Sequence, residues 1–218
     1  MTEAPWEYAI VPSPIGMFRI VYRGATVRLV DLLERGTDAS ELPEEAARRR
    51  PPFPPGSPPK QLAEYFRGER RRFDLAPQPL TESTFDLDVY RELYKVPAGR
   101  TLTYGQLARA SGHPGAARAV GGSMHRNPIP IILPCHRVVG EEGSLHGFGL
   151  GLWRKRWLLD REGAWPLRSR TPEGPRDPRQ RTFRNFDEVV LTPGRTERAA
   201  PTTPTRRPRT KAGPNQPA

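Results

Sequence analysis

The chain has one cysteine, and that scarcity excludes several arrangements. Cys135 has no partner thiol in the sequence, so an internal disulfide is ruled out and a reducing, cytoplasmic setting fits. Soft metal ligands are equally thin. Besides Cys135 they are His113, His125, His136 and His146, with no CxxC pair, so neither a structural zinc nor another metal or cofactor is expected. Long apolar runs are missing too. No stretch of about 18 apolar residues occurs, which argues against a membrane-spanning helix, and residues 1–14 lack the basic start and apolar core of a secretory leader. Apolar residues make up only 35% of the chain, against 27 prolines, so a fair fraction lies outside any packed core. Acidic residues are the last shortage: 24 against 35 Lys and Arg, a formal charge of +11. That balance points to a polyanionic partner, nucleic acid before membrane.

The length of 218 residues suits one large domain or two small ones with tails. Segments 8–11, 17–22 and 27–30 are short, rich in β-branched and aromatic residues and separated by turn signals, so they predict strands. Residues 35–50 are ambiguous, with a short helix as one option. Six prolines within 51–59 predict a loop or extended linker. Leu62, Tyr65 and Phe66 then fall at helical spacing, with Gly68 as the stop. Nothing in this half carries chemistry of its own.

The second half reads as helical. Phe85, Val89, Leu93 and Val96 form one stripe over 84–96. Thr103 is a good N-cap for a helix over 104–110, and Ser111-Gly112-His113 turns into a second helix over 114–125 with Pro114 at its first position. Two short helices joined by a glycine-containing turn have the helix-turn-helix layout. The second helix is unusual, since Ala116, Ala117, Ala119, Gly121, Gly122 and Ser123 surround one long cation, Arg118. Glycine costs roughly 0.5–1 kcal/mol in a helix, so adjacent glycines call for a close approach. Tight packing on another helix is one explanation. A smooth helix pressed into the narrow groove of DNA is the other.

Four glycines within 140–149 suggest a turn and then a flexible pocket wall. A helix over 150–161 places Leu150, Trp153, Trp157 and Leu158 at core-like spacing, with Arg154, Lys155 and Arg156 between them. Glu162 sits at its C-terminal end, where the dipole disfavours a carboxylate, so it needs a partner, with His136 the candidate. Residues 164–218 hold ten prolines and twelve basic residues against five acidic ones. They predict a disordered tail or a phosphate-gripping arm, with 183–191 the one stretch suited to docking.

Segment 129–140, IPIILPCHRVVG, carries the thiol with His136 beside it. An imidazole can take a thiol proton and leave a nucleophilic thiolate. A lone cysteine can equally be an inert core residue. Side chains adjacent in an extended chain point opposite ways, so His136 reaches Cys135 through a bent backbone or a bridging water.

Pro134-Cys135-His136-Arg137-Val138-Val139, preceded by Ala116-Ala117-Arg118-Ala119-Val120-Gly121-Gly122 and by Asn127-Pro128, resembles the signature of the O6-alkylguanine-DNA alkyltransferases. The likeness runs from about residue 83 to 163 and is fainter over 13–74, through Ser13-Pro14-Ile15-Gly16 and Leu62-Ala63-Glu64-Tyr65-Phe66. It implies an α+β fold. Residues 1–80 would form a ribonuclease-H-like scaffold, a small antiparallel sheet with a helix. Residues 81–163 would form a mostly helical, winged helix-turn-helix-like domain carrying the thiol, with 164–218 the tail.

The resemblance also implies roles. Cys135 accepts the alkyl group irreversibly from O6-alkylguanine, and from O4-alkylthymine, flipped out of double-stranded DNA. His136 is the base through water, Glu162 orients it, and Asn127 ties the turn between the helix and the active-site strand. Tyr104 lends its hydroxyl to the flipped nucleotide, and Arg118 intercalates from a minor-groove helix with Ala117, Ala119, Gly121 and Gly122 on its smooth face. Backbone at Cys135 and Val138 reads the guanine edge, while Pro130, Phe148, Gly149 and Leu150 line the alkyl pocket. Phe148 stands where many relatives carry tyrosine, and Leu150 interrupts a usually glycine-rich run, narrowing the pocket mouth. The expected protein is a monomer with no cofactor. A non-catalytic lesion binder would lack the cysteine, and a Cys–His hydrolase would leave the Ala/Gly helix unexplained.

Overall fold

The computed structural model describes residues 4–33 and 46–164. Strands β1 (Glu7–Ser13), β2 (Gly16–Arg23) and β3 (Thr26–Leu32) form an antiparallel meander. Ser13 shapes the first turn: its hydroxyl donates to the Gly16 carbonyl at 2.7 Å and accepts from the Ile15 N–H at 3.2 Å. Two short edge strands, β4 (Ala47–Arg49) and β5 (Ala76–Pro77), complete the order β4-β1-β2-β3-β5, each parallel to its neighbour. The sheet is therefore mixed, not purely antiparallel. Both edge strands follow long connections, and only such connections let a strand enter parallel. Residues 47–49 are strand, not helix, while residues 34–45 lie outside the described part.

Helix α1 (Pro58–Arg67) buries Leu62, Tyr65 and Phe66 and ends at Gly68, whose φ of 82° suits glycine. It starts inside the proline-rich stretch expected to be loop. Pro58 and Pro59 occupy its first turn, where a missing N–H leaves no bond unmade.

The helical half comprises α2 (Thr84–Tyr94), the short strand β6 (Leu102–Thr103), α3 (Tyr104–Ala110), α4 (Ala117–Arg126), β7 (Val138–Val139) and α5 (Leu152–Glu162). Ser83 caps α2 by accepting from the Asp86 N–H at 3.1 Å, and Thr103 caps α3 in a reciprocal box with Gln106. Helix α4 begins three residues later than the sequence suggests. Pro114 and Gly115 form a turn, with Gly115 at φ 87°, so Pro114 is not its first residue. Helix α5 likewise starts after Gly151, at φ 93°, which leaves Leu150 outside it. The three cations between its tryptophans are buried, while Leu158 joins the hydrophobic core and Trp153 and Trp157 pack against it, as their spacing predicts. Arg154 Nε donates to the Ile15 carbonyl at 2.8 Å, fastening α5 to the β1–β2 turn.

A continuous hydrophobic core runs from Phe18, Ile20 and Val30 of the sheet through Tyr65 and Phe66 to Leu93, Leu107, Val120 and Cys135. Residues 165–218, including 183–191, lie outside the described part. No described helix is long and apolar enough to cross a membrane.

Candidate active site

The backbone before the thiol is closed by side-chain bonds. Asn127 Oδ1 accepts from the Ile129 N–H at 3.0 Å and its Nδ2 donates to the Leu133 carbonyl at 2.8 Å. The Leu133 N–H donates to Ile129 O at 2.9 Å, and the Val30 N–H of β3 donates to Pro128 O at 2.9 Å. Ile131, inside this loop, is fully buried at φ 77°. A β-branched residue there stores roughly 1–3 kcal/mol of strain, and the loop's bonds hold it in place.

Cys135–Arg137 then form one turn of 3-10 helix, and β7 begins only at Val138, parallel to β6. The thiol thus sits on a turn and not on a strand. The Pro134 φ of −82° and ψ of 64° bend the chain out of extension. Adjacent residues are then displaced about a third of a turn from one another, so Cys135 and His136 no longer lie on opposite faces.

His136 is fully buried, and its Nε2 lies 3.0 Å from Glu162 Oε1. A carboxylate only accepts, so this contact makes Nε2 the protonated nitrogen of a neutral ring and leaves Nδ1 as the base. Nδ1 is buried and has no hydrogen-bond partner among the described residues. Burial pushes the imidazole below its usual range, with Arg137 and Lys155 adding to the effect and Glu162 opposing it. Glu162 also accepts from Arg137 Nε at 2.9 Å, Arg137 Nη2 at 2.7 Å and the Tyr65 hydroxyl at 2.7 Å. Arg137 donates its remaining nitrogen to the Val96 carbonyl. Burial alone would raise the Glu162 carboxyl, but His136 and the Arg137 guanidinium hold it well below the usual carboxylate range.

Cys135 is 5% exposed and faces two adjoining cavities. One, of about 510 Å³, is walled by Tyr104, Ala117, Arg118, Gly121, Met124, His125, Phe148 and Gly149. The other, of about 600 Å³, is walled by Leu32, Asn127, Pro130, Phe148, Gly149 and Leu150. Val138 is buried on β7 and lines neither; Ala119 and Gly122 lie outside both walls. Burial raises the thiol, opposed first by the Asn127 amide and then by Lys155.

Helix α4 is held on α2 by buried Asp86, which accepts from Ser123 Oγ and from Arg126 Nη2 at 2.9 Å, while the Tyr90 hydroxyl donates to Ser123 O at 2.9 Å. Ser123 alone of its small residues is fully buried, against α2; the two glycines are not wedged against another helix. A Cβ at Gly121 would come no nearer than 4.0 Å to Tyr104, and one at Gly122 would meet only the flexible end of Arg126. Arg118 and Ala119 are exposed. The smooth face is open, and a long cation stands on it.

Sequence reasoning assigned no role to Arg137, Tyr65 or Lys155. Arg137 was in view within the cysteine motif. Lys155 lies seven residues before Glu162, on the same face of α5, and that spacing was a usable signal. Tyr65 is 97 residues from Glu162, beyond any local pattern.

Comparison with known proteins agrees with this geometry. The family model for the 6-O-methylguanine DNA methyltransferase DNA binding domain matches residues 84–164. A methylated-DNA–protein-cysteine methyltransferase of Methanosarcina acetivorans is 40% identical over 158 residues, covering 72% of this chain and 98% of that one. The crystal structure of the Mycobacterium tuberculosis O6-methylguanine methyltransferase superposes with a TM-score of 0.62 at 36% identity, over 74% of this chain and 96% of that one. The same organism's OGT in complex with DNA gives 0.61 at 37% identity, over 72% and 93%. Likeness of this extent, reaching nearly the full length of such relatives, shows that the chain belongs to the methylated-DNA–protein-cysteine methyltransferases, DNA-binding enzymes of DNA repair.

Proposed function

We propose that the chain flips O6-alkylguanine out of duplex DNA and transfers the alkyl group to Cys135, irreversibly and once per molecule. The observation that carries this reading is the thiol at the floor of a cavity whose wall is the open, small-residue face of α4 with Arg118 upon it. The guanine oxygen is inaccessible inside a duplex, so the base must leave the stack. Helix α4 enters the minor groove, with Ala117, Ala119, Gly121 and Gly122 allowing close approach, and Arg118 fills the space the base leaves. Tyr104 hydrogen-bonds the extruded nucleotide, backbone groups at Cys135 and Val138 read its edge, and Pro130, Phe148, Gly149 and Leu150 surround the alkyl group.

His136 Nδ1, acting through a bridging water, takes the thiol proton, while Glu162 holds the tautomer. The thiolate attacks the alkyl carbon as the carbon–oxygen bond breaks. The electron pair goes to the guanine oxygen, and the base takes up a proton. A thioether remains, and with no second cysteine to relieve it the protein is spent. O4-alkylthymine presents the same ether linkage and follows the same route.

The division into residues 1–80, 81–163 and 164–218 belongs to this reading. So do a ribonuclease-H-like character for the sheet and a winged-helix character for the helical half, with β6 and β7 as the wing's remnant. The protein acts as a cytoplasmic monomer on DNA, the tail adding grip on phosphates. Cys135→Ala should abolish transfer from O6-methylguanine DNA while leaving DNA affinity within about twofold, since a buried thiol makes no phosphate contact. Residual transfer by that variant would overturn the assignment.

A further inference from the structure

Lys155 is the structure's least expected side chain. It is completely buried, and lysines are almost never buried unpaired. No carboxylate forms an ion pair with it among the described residues. Its Nζ donates to the His146 carbonyl at 2.9 Å and lies 5.9 Å from the centre of the Tyr104 ring. His146 and Tyr104 are both beside the thiol's cavity, at its rim and in its wall. Lys155 and Glu162 thus flank the cysteine turn from one face of α5, one carrying a cation and the other an anion.

We propose that Lys155 is the counter-ion of the Cys135 thiolate, and that the same ammonium holds the His146–Gly149 wall against the reacting sulfur. The inference rests on Cys135 being the nucleophile. Other groups face the thiol but cannot take this part. His136 offers Nδ1 as the base for the thiol proton, its Nε2 held by Glu162, and Arg137 is committed to Glu162. Tyr90 of α2 and Tyr104 of α3 are neutral phenols, the first raised by burial and then by Asp86, the second by burial and then by Cys135. His125, Arg118 and His146 belong to exposed residues at the cavity rim. Burial lowers the Lys155 amine to about 8, and the anion that pulls it back up is Cys135.

The thiol proton leaves through the bridging water to His136 Nδ1, and the Lys155 ammonium balances the thiolate that remains. Alkylation forms the sulfur–carbon bond and breaks the carbon–oxygen bond, after which the ammonium, with no anion left, returns its proton to solvent. Lys155 is therefore a positioning residue, acting through the sulfur and never touching the substrate.

Because Cys135 is the only cysteine, iodoacetamide and thiolate ultraviolet absorbance both report on it alone. Lys155→Met should raise the thiolate midpoint by about one pH unit and slow iodoacetamide about tenfold at neutral pH. The loss should vanish at alkaline pH, where the thiolate is complete, and Lys155→Arg should restore part of the midpoint. A merely structural role would slow the reaction equally at every pH. An unchanged midpoint in Lys155→Met would overturn the proposal.

If that variant fails to fold, the reciprocal measurement serves, because coupling between two sites is symmetric. The chain has four lysines, so the Lys155 amine can be followed by nitrogen NMR. It should titrate lower in Cys135→Ala than in the wild type, and identical titrations would overturn the proposal. Neither measurement uses alkylated DNA, so failure here is distinct from failure of Cys135 to accept an alkyl group from DNA.

Discussion

Replacing Arg137 by methionine tests the buried network behind the thiol. Glu162 is 3% exposed and accepts four hydrogen bonds, two of them from Arg137. Methionine keeps much of the volume but leaves the carboxylate without its permanent cation. Breaking a buried pair in this way costs about 3–5 kcal/mol, a fall in Tm of roughly 10 °C for a chain of this size. The loss should depend on pH. In the wild type the folded-state pKa of His136 is lowered, so this group makes the fold less stable as pH falls below its unfolded value of about 6.5. In the variant Glu162 keeps only His136 and the Tyr65 hydroxyl, Arg137 no longer opposes protonation, and the imidazole pKa rises. A raised pKa adds stability below the unfolded value, and this is lost as pH rises through the folded one. The Tm deficit should therefore be smaller near pH ~5.5 than near pH ~8. A protonated imidazole cannot take the thiol proton, so transfer should fall most at neutral pH and recover as pH rises. Thermal melts and single-turnover rates across pH check both. Equal deficits at both pH values, with a rate loss independent of pH, would refute the reasoning.

Shortening Arg118 should hurt repair in duplex DNA far more than reaction with free O6-benzylguanine, because only the duplex requires unstacking, at a few kcal/mol. Arg118→Lys should recover part of the duplex rate, since lysine lacks the planar guanidinium, and equal losses on both substrates would remove the intercalating role. Glu162→Gln should slow transfer between about pH 6 and pH 9 by destabilising the productive His136 tautomer; rates unchanged over that range would exclude the relay. Removing residues 164–218 should flatten the plot of log affinity against log salt by about 0.9 for each phosphate that the tail neutralises, and equal slopes on undamaged duplex would make the tail a bystander.

Much of the fold was legible because it is local. The β-branched strand segments, the Thr103 cap, the α2 stripe and the Ala/Gly helix are each written within about a dozen residues. The errors lay where backbone geometry overrode pattern. Gly115 at φ 87° delayed α4, and Pro58 and Pro59 began a helix where six prolines suggested a linker. The resemblance implies an active-site strand at Cys135, but the Asn127 bonds and Ile131 at φ 77° bend the chain into a turn there. Arg137, Lys155 and Tyr65 were not legible in their roles for one reason. A sequence shows a cation or a phenol, and only tertiary packing decides that it is buried against Glu162 or against the His146 carbonyl beside the thiol's cavity. The parallel edges β4 and β5 were equally hidden, since strand partners across long connections leave no periodicity.

The central claim is that Cys135 itself receives the alkyl group, and the most direct test is the mass of the intact protein after reaction with duplex carrying one O6-methylguanine. Each protein molecule should gain a single methyl group in place of one hydrogen, the modified peptide should be the one containing Cys135, and excess DNA should yield no second event. Restored guanine with an unmodified protein, or a methyl group on any residue other than Cys135, would contradict that claim.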